Sequence, residues 1–411
     1  MGATPALDAG GLAPAMLRAV LVIGLMSGTS ADGVDAALVE WPEGSEARPF
    51  CLRGFQETPF EPTLQARIHD LAAGRVPGEK TLAELAELDV LLGQRFAAAA
   101  CEVADEAGVP LGEIAGIASH GQTVAHHPER RATLQIGDPS VIAEVTGCTV
   151  VADFRPRDLA AGGEGAPLAP FFHHAVMGDA LETRGVLNLG GIANLTFLPA
   201  GGDPERVVAF DVGPANALLD GVVRTWSGGE ARFDAGGGIA ARGQVDAELL
   251  RRLLADPYLE RPPPKSTGRE RYGLAEAEAL VAAARAVGRS QADLLATLLQ
   301  FNAESVGRAC ERFLGGLPER LLVGGGGVKN PTQLAVLRAR LPEVRVEPSD
   351  SVGVPADAAE AMAFSLMGRN ALLGLPNHLP HTTGARAARV LGEFVPGDPA
   401  RLRGFWGLRP R

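Results

Sequence analysis

Two short turns in the sequence are rich in glycine and small polar residues, and each lies between two apolar runs. The first turn occupies residues 28–35 (GTSADGVD), and the second contains Gly190 and Gly191 within GVLNLGGIANLTFL. Apolar runs on both sides of a tight turn predict antiparallel strands, and the backbone N–H groups of such a turn can bind an anion. Either turn alone fits an ordinary hairpin equally well. Because the two lie about 160 residues apart, we predict a duplicated unit whose turns face each other across a cleft.

An aspartate lies near the end of a third apolar run. Asp211 belongs to RVVAFDVG (residues 206–213), and Pro214 follows at a position suited to the first turn of a helix. A carboxylate at this place can act as a general base or orient Mg²⁺, and it can also cap the helix. We favour the chemical role, because Asp211 would face the predicted phosphate turns.

Polar side chains end a short strand in the first half. Ser119, His120 and Gln122 form the polar tip of a strand predicted over residues 113–121. Open α/β sheets bind their ligands at the carboxyl ends of strands, so these side chains are candidates for contacting a polar substrate. A histidine that only satisfies a loop would give the same pattern at His120.

A second strand, predicted over residues 148–154, leads into charged and glycine-rich residues. It is followed by Asp153 and Arg155 and then by the loop LAAGGEGAP at residues 159–167. Charges of both signs beside a flexible segment suit a small-molecule site with a lid. The loop taken alone would also fit a solvated linker.

Two segments of the second half add backbone and basic groups. Residues 324–327 are four glycines between a strand and a helix that starts at Asn330 and Pro331. Glycine lets the backbone lie flat against a ring, which favours an adenosine site there. Residues 261–273 (RPPPKSTGRERYG) predict a stiff arm that carries Lys265 towards the cleft, although a solvated surface loop would read similarly.

Helices are predicted between these segments wherever apolar residues recur at three- and four-residue spacing. The longest spans residues 80–108, and Asp138, Pro139 and Gly147 mark the start and the stop of a shorter one. The last, over residues 355–374, carries Glu360 near its start. The other predicted helices span residues 63–73, 214–223, 244–254, 274–288, 290–315 and 331–340.

Composition indicates a folded chain with two lobes. The 411 residues exceed what one compact core usually holds, and 46% hydrophobic and 21% charged residues are ordinary for a globular protein. The formal net charge of -11 disfavours nucleic acid or an anionic membrane surface as the main partner. The 4 cysteines lack metal-ligand spacing, which favours a reduced, cytoplasmic protein. The apolar run at residues 20–26 is far shorter than the about 20 residues of a membrane span.

Several common nucleotide-binding and hydrolase motifs are missing. The sequence has no GK[ST], no GxGxxG after a strand, no GxSxG, no HExxH and no kinase HRD set, which argues against P-loop NTPases, dinucleotide-binding oxidoreductases and common hydrolases. The remaining pattern is a phosphate-type turn in each half and a glycine cluster at a strand-to-helix junction. This pattern resembles the two-lobed actin, hexokinase and Hsp70 superfamily.

Longer strings make the resemblance closer. Over roughly residues 20–374, a series of strings in the chain resembles the anhydro-N-acetylmuramic acid kinase family, in the order of the family's motifs. The strings are GLMSGTSADGVDAALVE (24–40), SHGQTVAHHP (119–128), LQIGDPSVIAEVTG (134–147), VADFRPRDLAAGGEGAPLAP (151–170), NLGGIANLT (188–196), FDVGPANALLD (210–220), PPPKSTGRE (262–270), GGGGVKNP (324–331) and GVPADAAEAMAF (353–364).

The resemblance implies a fold and a reaction. The fold is α/β, a two-lobed actin-like ATPase (ribonuclease H-like) fold with mixed sheets flanked by helices and a cleft between the lobes. The reaction is the ATP-dependent, hydrolytic opening of the 1,6-anhydro ring of anhydro-N-acetylmuramic acid with phosphorylation at O6. The product is N-acetylmuramic acid 6-phosphate, in peptidoglycan recycling. The family also implies a homodimer and Mg²⁺ bound with ATP, with no metal ligated by the protein alone.

The family motifs also imply roles for particular residues. Asp211 is the catalytic base that activates water. The residues expected to bind ATP are Gly28, Thr29, Ser30, Ala31, Asp32, Gly33, Val34, Asp35, Gly190, Gly191, Asn194, Gly325, Gly326, Gly327 and Asn330. The residues expected to bind the sugar are Ser119, His120, Gln122, Asp153, Arg155 and Glu360.

The expected domain organisation has four parts. Residues 1–17 form a loose tail, residues 18–181 lobe I, residues 182–374 lobe II with its final helix packing back on lobe I, and residues 375–411 an extension. In the last part, Phe405 and Trp406 either dock on the surface or belong to a loose end.

Two other functions remain open at this point. One is another actin-like sugar kinase that phosphorylates an open-ring amino sugar, and the other is a nucleotide-gated binding or chaperone protein. The chaperone interpretation is disfavoured because the sequence has no separate peptide-binding segment. The residue that contacts the lactyl group also stays open among Arg155, His120 and Lys265.

Overall fold

The computed structural model describes residues 19–399. The tail at residues 1–17 and the aromatic pair Phe405 and Trp406 lie outside the described residues. The strands are β1 (Ala19–Ser27), β2 (Gly33–Pro42), β3 (Cys51–Pro59), β4 (Gly116–His127), β5 (Ala132–Ile136), β6 (Val150–Ala152), β7 (Arg184–Leu189), β8 (Ile192–Leu198), β9 (Val208–Pro214), β10 (Arg320–Gly324), β11 (Arg345–Pro348) and β12 (Glu393–Val395).

Helices cover both sheets. They are α1 (Pro62–Ala72), α2 (Gly78–Glu106), α3 (Pro139–Thr146), α4 (Phe154–Ala160), α5 (Ala169–Phe172), α6 (Asn216–Trp226), α7 (Ala247–Leu253), α8 (Pro257–Glu260), α9 (Arg269–Tyr272), α10 (Leu274–Ala286), α11 (Gln291–Phe313), α12 (Pro331–Arg340), α13 (Ala359–Leu372) and α14 (Pro380–Thr383). In residues 19–399, no helix combines the length and the apolarity that a membrane crossing requires.

The two sheets share one topology. The first has the order β12-β6-β4-β1-β2-β3, with β5 paired to β4, and the second has the order β11-β10-β7-β8-β9. In each, three strands form an antiparallel meander, and two further strands join the first of them in parallel. The α/β class with mixed sheets is thereby confirmed, and the duplication expected from the two turns is present in the topology.

Helix α13 follows lobe II in sequence but packs on the first sheet. Its backbone passes so close to β1 that a Cβ on Gly24 would lie 1.9 Å from the Ala361 oxygen. The Trp41 indole donates to Ser365 Oγ at 2.9 Å, and that hydroxyl donates to the Val22 carbonyl at 2.8 Å. A buried polar chain of this kind fixes the helix on the sheet.

The chain after residue 374 also belongs to the first sheet. Strand β12 pairs antiparallel with β6, with Phe394 opposite Val151, and Leu379 and Leu391 are buried. Over the described residues, the expected extension at 375–411 therefore does not stand apart from lobe I. Hydrophobic periodicity could not predict β12, because a three-residue strand is too short to show a period.

One predicted helix begins later than expected. The helix expected from Pro214 begins at Asn216, because Pro214 is still the last residue of β9. The backbone N–H groups of Ala215 and Asn216 donate to the carbonyls of Gly191 and Gly190. The start of α6 is thus joined to the second glycine turn.

Candidate functional site

A cavity of about 780 Å³ lies between the two sheets. Lobe I contributes Asp35 and Arg155 to its wall, and α13 contributes Glu360. Lobe II contributes the residues Asn188, Gly190, Asn194, Asp211, Lys265, Ser266, Gly325 and Gly326. Carboxylates, a guanidinium, amides and exposed glycine backbone therefore face one space, as a site for a polar ligand and a phosphate requires.

Asp211 is held by the segment that follows α8. One carboxylate oxygen, Oδ2, accepts the backbone N–H of Thr267 at 3.0 Å. Its backbone N–H donates to the Lys265 carbonyl at 3.2 Å, and its carbonyl accepts the Tyr258 hydroxyl at 2.8 Å. The carboxylate lies at the wall of the cavity in a fixed orientation, which suits a general base. Asp211 does not cap α6, whose first turn has no side-chain cap.

The glycine cluster after β10 lies against the second turn. Gly325 has φ +75, and a Cβ there would lie 2.2 Å from Asn188 Oδ1. A Cβ on Gly327 would lie 2.5 Å from the Leu189 side chain. Both positions therefore need glycine for close approach. Gly325 and Gly326 line the cavity, whereas Gly191 and Gly327 lie behind its wall.

Asn330 has a structural role in this conformation. Its side-chain oxygen accepts the Gln333 N–H at 3.0 Å and caps α12. A Cβ on Gly237 would lie 2.2 Å from the same oxygen, so this end of Asn330 is enclosed. Asn330 lies outside the cavity wall, and the structure offers no contact that would bring it to a ligand.

The first turn is held from below by two buried side chains. Ser27 Oγ donates to Gln122 Oε1 at 2.7 Å, and Gln122 Nε2 donates to the Gly28 carbonyl at 3.1 Å. Ala31 has φ +47, an unusual backbone conformation for alanine. The residues from Gly28 to Val34 lie outside the wall of the central cavity, and Asp35 is the first member of the motif to reach it.

Gln122 is therefore placed differently from its expected role. It is 2% exposed and lies within β4, which continues to His127 instead of ending at residue 121. The side chain contacts Ser27 and the Gly28 carbonyl of the turn and does not line the cavity. Gln122 supports the predicted phosphate turn.

Replacing Gln122 by alanine is expected to raise the KM for ATP about tenfold and to change the KM for the sugar less than threefold. The variant removes one of two acceptors within reach of Ser27 Oγ, the other being the Gly33 carbonyl at 2.7 Å, and it removes the donor to Gly28. The turn therefore loses part of its support, and a net loss of about 1.4 kcal/mol corresponds to tenfold. Steady-state kinetics with each substrate varied in turn measure this. Thr133→Ala is a control, since Thr133 belongs to the neighbouring strand. An equal rise in both KM values would contradict this role.

Asp35 lies in an acidic part of the cavity. Burial, together with the charges of Glu57, Glu360, Asp32 and Asp357, raises the pKa of Asp35 to about 7. Glu57, Glu360 and Asp357 line the same cavity. A ligand that brings positive charge to this side would relieve their repulsion.

His120 is a buried partner of Arg155. It is 4% exposed, and its Nε2 accepts from Arg155 Nε at 3.1 Å and from Nη2 at 2.9 Å. Its Nδ1 lies 2.8 Å from the Gly121 carbonyl, which fixes the proton on Nδ1. Burial and the Arg155 charge lower the pKa of His120 to about 3. His120 is thus a neutral acceptor that orients the guanidinium, and only Arg155 reaches the cavity.

Two further residues expected at the sugar lie away from the cavity. Ser119 is 1% exposed, and its hydroxyl has no hydrogen-bond partner in the described part of the chain. Asp153 has φ +52 at the start of α4 and is half-buried, and burial raises its pKa. Ser119 lies inside β4 and Asp153 directly follows β6, and neither side chain lines the cavity.

The buried histidines His120 and His173 are each expected to contribute a loss in the free energy of unfolding when the pH falls from 7 to 5. Burial lowers the pKa of His173 to about 4 and, with Arg155, that of His120 to about 3, whereas an unfolded histidine titrates near 6.5. Between these values the unfolded chain binds more protons, so stability falls as pH falls, by about 2 kcal/mol per imidazole at pH 5. Asp35, whose pKa is raised, acts with the opposite sign.

The variant His173→Gln tests this dependence. Glutamine can keep a contact with Thr196 Oγ1, which lies 2.9 Å from His173 Nδ1. Urea unfolding at pH 7 and pH 5 should show that the variant loses about 2 kcal/mol less than the parent on acidification. An identical loss in both proteins would contradict a buried neutral His173.

Several cavity residues were not found by sequence reasoning. Glu57 lies on β3, Asn188 is the last residue but one of β7, and His126 lies on β4 beyond the expected end of that strand. Lys329 forms an ion pair with Asp357 at 2.9 Å, which connects the glycine cluster to the start of α13. Lys329 and Asp357 both belong to motifs that were recognised, so their position in those motifs was the available signal.

The geometry can be compared with known proteins. A family model described as anhydro-N-acetylmuramic acid kinase matches residues 20–397. Relatives with that name include one from Xanthomonas campestris pv. campestris, 48% identical over 93% of this chain and 99% of its own length. Another, from Gloeobacter violaceus, is 44% identical over 92% of this chain and 98% of its own length.

Solved structures with a similar arrangement have distant sequences. Component A of (R)-2-hydroxyglutaryl-CoA dehydratase from Acidaminococcus fermentans has a TM-score of 0.44 and 12% identity, covering 84% of this chain and 96% of that chain. A ROK family glucokinase from Streptomyces griseus, in complex with glucose and AMPPNP, has a TM-score of 0.38 and 12% identity, covering 84% and 98%.

The two mixed sheets share one topology and face one cavity, which is the two-lobed arrangement of the actin-like fold class. The match over residues 20–397 reaches beyond the 20–374 expected from the motifs. The chain belongs to the anhydro-N-acetylmuramic acid kinase family. The predicted enzyme class, a kinase and therefore a transferase, is confirmed.

Proposed function

We propose that this chain opens the 1,6-anhydro ring of anhydro-N-acetylmuramic acid with water and transfers the γ-phosphoryl group of ATP to O6, giving N-acetylmuramic acid 6-phosphate and ADP. The family match over residues 20–397 supports the reaction. The observation that carries the mechanism is the place of Asp211, held at the cavity wall by the Thr267 amide.

The proposed chemistry conserves atoms in one coupled step. Asp211 accepts a proton from water, the water oxygen forms a bond to the anomeric carbon, and the bond from that carbon to O6 breaks. The released O6 attacks the γ-phosphorus, and the bond from phosphorus to the β,γ-bridging oxygen breaks. One carboxylate makes the nucleophile, and the remaining work is positioning and charge stabilisation.

Sugar binding is assigned to groups that line the cavity from lobe I. Arg155 carries a charge that suits the lactyl carboxylate, and its orientation is fixed by His120 Nε2 and by the Gly165 carbonyl, to which Nη1 donates at 2.8 Å. Glu360 faces the same cavity, and burial raises its pKa, with the Arg155 charge opposing that rise only in part. In this proposal Arg155 and Glu360 contact the sugar directly. The other residues expected at the sugar act through other groups; they are Ser119, His120, Gln122 and Asp153.

Nucleotide binding is assigned to the two turns and the glycine cluster. The backbone of residues 28–35 and of Gly190 and Gly191, with Asn194, would hold the phosphates, and Gly325 and Gly326 would face the adenosine. The place of Gly325 and Gly326 at the cavity wall supports this, and Gly325 must lack a side chain because a Cβ there would collide with Asn188 Oδ1. Asn330 is left out of the proposed contacts because it caps α12.

A magnesium ion fits this site as a companion of ATP. In the described residues 19–399, no group of three His, Cys, Asp or Glu side chains could hold a metal ion by itself. Mg²⁺ commonly takes only one or two carboxylates and obtains its other ligands from phosphates and water. Asp35 is the best placed, because burial and acidic neighbours together raise its pKa to about 7, and a cation would relieve the repulsion from those neighbours. The bound ion would neutralise developing phosphoryl charge.

The wider setting is also part of the proposal. The reaction belongs to peptidoglycan recycling in the cytoplasm, and the enzyme is a homodimer, as the family resemblance implies. The net charge of -11 supports a small-molecule enzyme over one that binds nucleic acid or an anionic membrane.

The test is ADP release from Mg-ATP with purified protein and three sugars: the 1,6-anhydro sugar, open-ring N-acetylmuramic acid and N-acetylglucosamine. Turnover with the anhydro sugar alone supports the proposal, and incorporation of one ¹⁸O from labelled water at the anomeric carbon would establish the attack by water. Turnover only with an open-ring sugar would overturn it in favour of an ordinary sugar kinase.

A further inference from the structure

A buried lysine lies directly behind the predicted base. Lys265 is 6% exposed, although an ammonium group is rarely buried without a strong partner. Its Nζ lies 4.8 Å from the ring centre of Tyr258, 4.9 Å from that of Phe313 and 5.6 Å from that of Phe210. It also donates to the carbonyls of Tyr258 and Leu259, each at 3.4 Å. We call these three rings and two carbonyls the aromatic cage.

The aromatic cage is suited to a cation. Ring faces and carbonyl oxygens both carry negative partial charge, and a desolvated cation–π contact contributes about 2 kcal/mol or more. Burial and the charge of Arg261 lower the pKa of Lys265 to about 8, while Asp211 and Asp256 act in the opposite direction. At neutral pH the cage therefore still holds an ammonium group.

The cage fixes the segment that grips Asp211. Residues 261–268 lie along β9, which is the edge strand of the second sheet. This segment bonds to Asp211 at two points. The Lys265 carbonyl accepts the Asp211 N–H, and the Thr267 N–H donates to Asp211 Oδ2. The Tyr258 ring, a wall of the cage, carries the hydroxyl that donates to the Asp211 carbonyl. The positions of the Asp211 backbone and carboxylate therefore depend on the segment around Lys265 and on Tyr258, both of which the caged ammonium group holds in place.

We propose that Lys265 is a positioning residue, whose caged ammonium group anchors residues 261–268 on β9 so that the Thr267 amide holds the Asp211 carboxylate towards the reacting water. This deepens the proposed function and rests on it for the role of Asp211. It also answers which residue contacts the lactyl group, because the ammonium of Lys265 is committed to the cage and leaves that task to Arg155.

The direct alternative is that Lys265 binds substrate. The two roles differ in kinetics. An anchor that acts only through Asp211 lowers kcat and leaves substrate binding unchanged, whereas a direct contact to the sugar mainly raises its KM.

The experiment compares Lys265→Met, which keeps the length and packing of the side chain, with Lys80→Met at the exposed start of α2. We expect kcat to fall at least 30-fold in Lys265→Met, with both KM values within about threefold, and Lys80→Met to match the parent. Lys265→Arg, which retains a cation for the cage, should recover part of kcat. Unchanged kcat, or a rise confined to the KM for the sugar, would overturn the proposal.

A second readout does not depend on turnover. In protein labelled with ¹⁵N at threonine, the amide proton of Thr267 should be shifted downfield by its carboxylate partner and should move upfield in both Asp211→Asn and Lys265→Met. An unmoved Thr267 resonance in Lys265→Met would overturn the anchor even if the kinetics changed. If the parent enzyme does not turn over the anhydro sugar, the function fails while this measurement still decides the anchor.

A second variant weakens the aromatic cage without changing Lys265 itself, as a control for misfolding of Lys265→Met. Phe313 ends α11 and contacts the ammonium without touching residues 261–268 or Asp211 through a hydrogen bond. Phe313→Leu keeps an apolar side chain there. We expect a smaller loss of kcat than in Lys265→Met, with the Thr267 amide proton again moved upfield. Parent-like values for both would contradict the role of the cage.

Discussion

Asp211→Asn is expected to lower turnover at least about 1,000-fold while Mg-ATP still binds with affinity within about threefold of the parent. Asparagine is nearly the same size and can accept the Thr267 N–H through its amide oxygen, so the local geometry is retained. It has no basic oxygen to accept a proton from water, so the nucleophile is not made. The measurements are ADP release with the anhydro sugar and calorimetric binding of the nucleotide.

The matched control for Asp211→Asn is Asp203→Asn. Asp203 is exposed and accepts the Glu205 N–H at 3.1 Å in a surface turn. The control should keep parent activity. Retained turnover in Asp211→Asn would remove Asp211 from the role of base, and loss of nucleotide binding in that variant would assign it to the phosphates instead.

Asp158→Ala is expected to lower the free energy of unfolding by about 3–5 kcal/mol. Asp158 is fully buried and accepts from Thr383 Oγ1 and from the Gly165 N–H, both at 2.8 Å, and His378 Nδ1 lies 2.9 Å away. Burial alone would raise the pKa of Asp158, but these partners hold it below the ordinary value. Alanine leaves the donors buried without an acceptor, which urea unfolding at pH 7 measures directly.

The same variant should also weaken sugar binding. Gly165 joins Asp158 to the cavity, because its carbonyl accepts Arg155 Nη1. Without the carboxylate, Gly165 loses its anchor, and we expect the KM for the sugar to rise about tenfold and the KM for ATP less than threefold. Asp105→Ala, at an exposed position of α2, serves as the control for a lost aspartate. Parent-like stability in Asp158→Ala would contradict the buried network.

Features that depend on local sequence were predictable. The hairpin turns are specified by glycines between apolar runs, and they agree with the pairs β1–β2 and β7–β8. The N-cap at Asp138 agrees as well, since its carboxylate accepts the Ser140 N–H at 2.8 Å. Capping and tight turns involve residues within a few positions of one another, so a single sequence carries the whole interaction.

Features that depend on long-range packing were not predictable in the same way. His120 and Gln122 have types suited to binding, yet each is used by a distant partner, Arg155 in one case and the turn at Gly28 in the other. Nothing in the spacing distinguishes a side chain that contacts a ligand from one that contacts such a partner. The same holds for Lys265, whose cage combines residues more than a hundred positions apart in sequence.

The return of the chain to the first sheet has a consequence for synthesis on the ribosome. Lobe II is built from one continuous stretch, so all the strands of its sheet are available before α13 is made. The first sheet must wait for α13 and β12, whose contacts join Ser365 to Val22 and Phe394 to Val151. Its strands β1–β6 therefore emerge early with one face uncovered. We expect lobe II to complete its fold first, and the earliest part of the chain to be the one most in need of protection by chaperones.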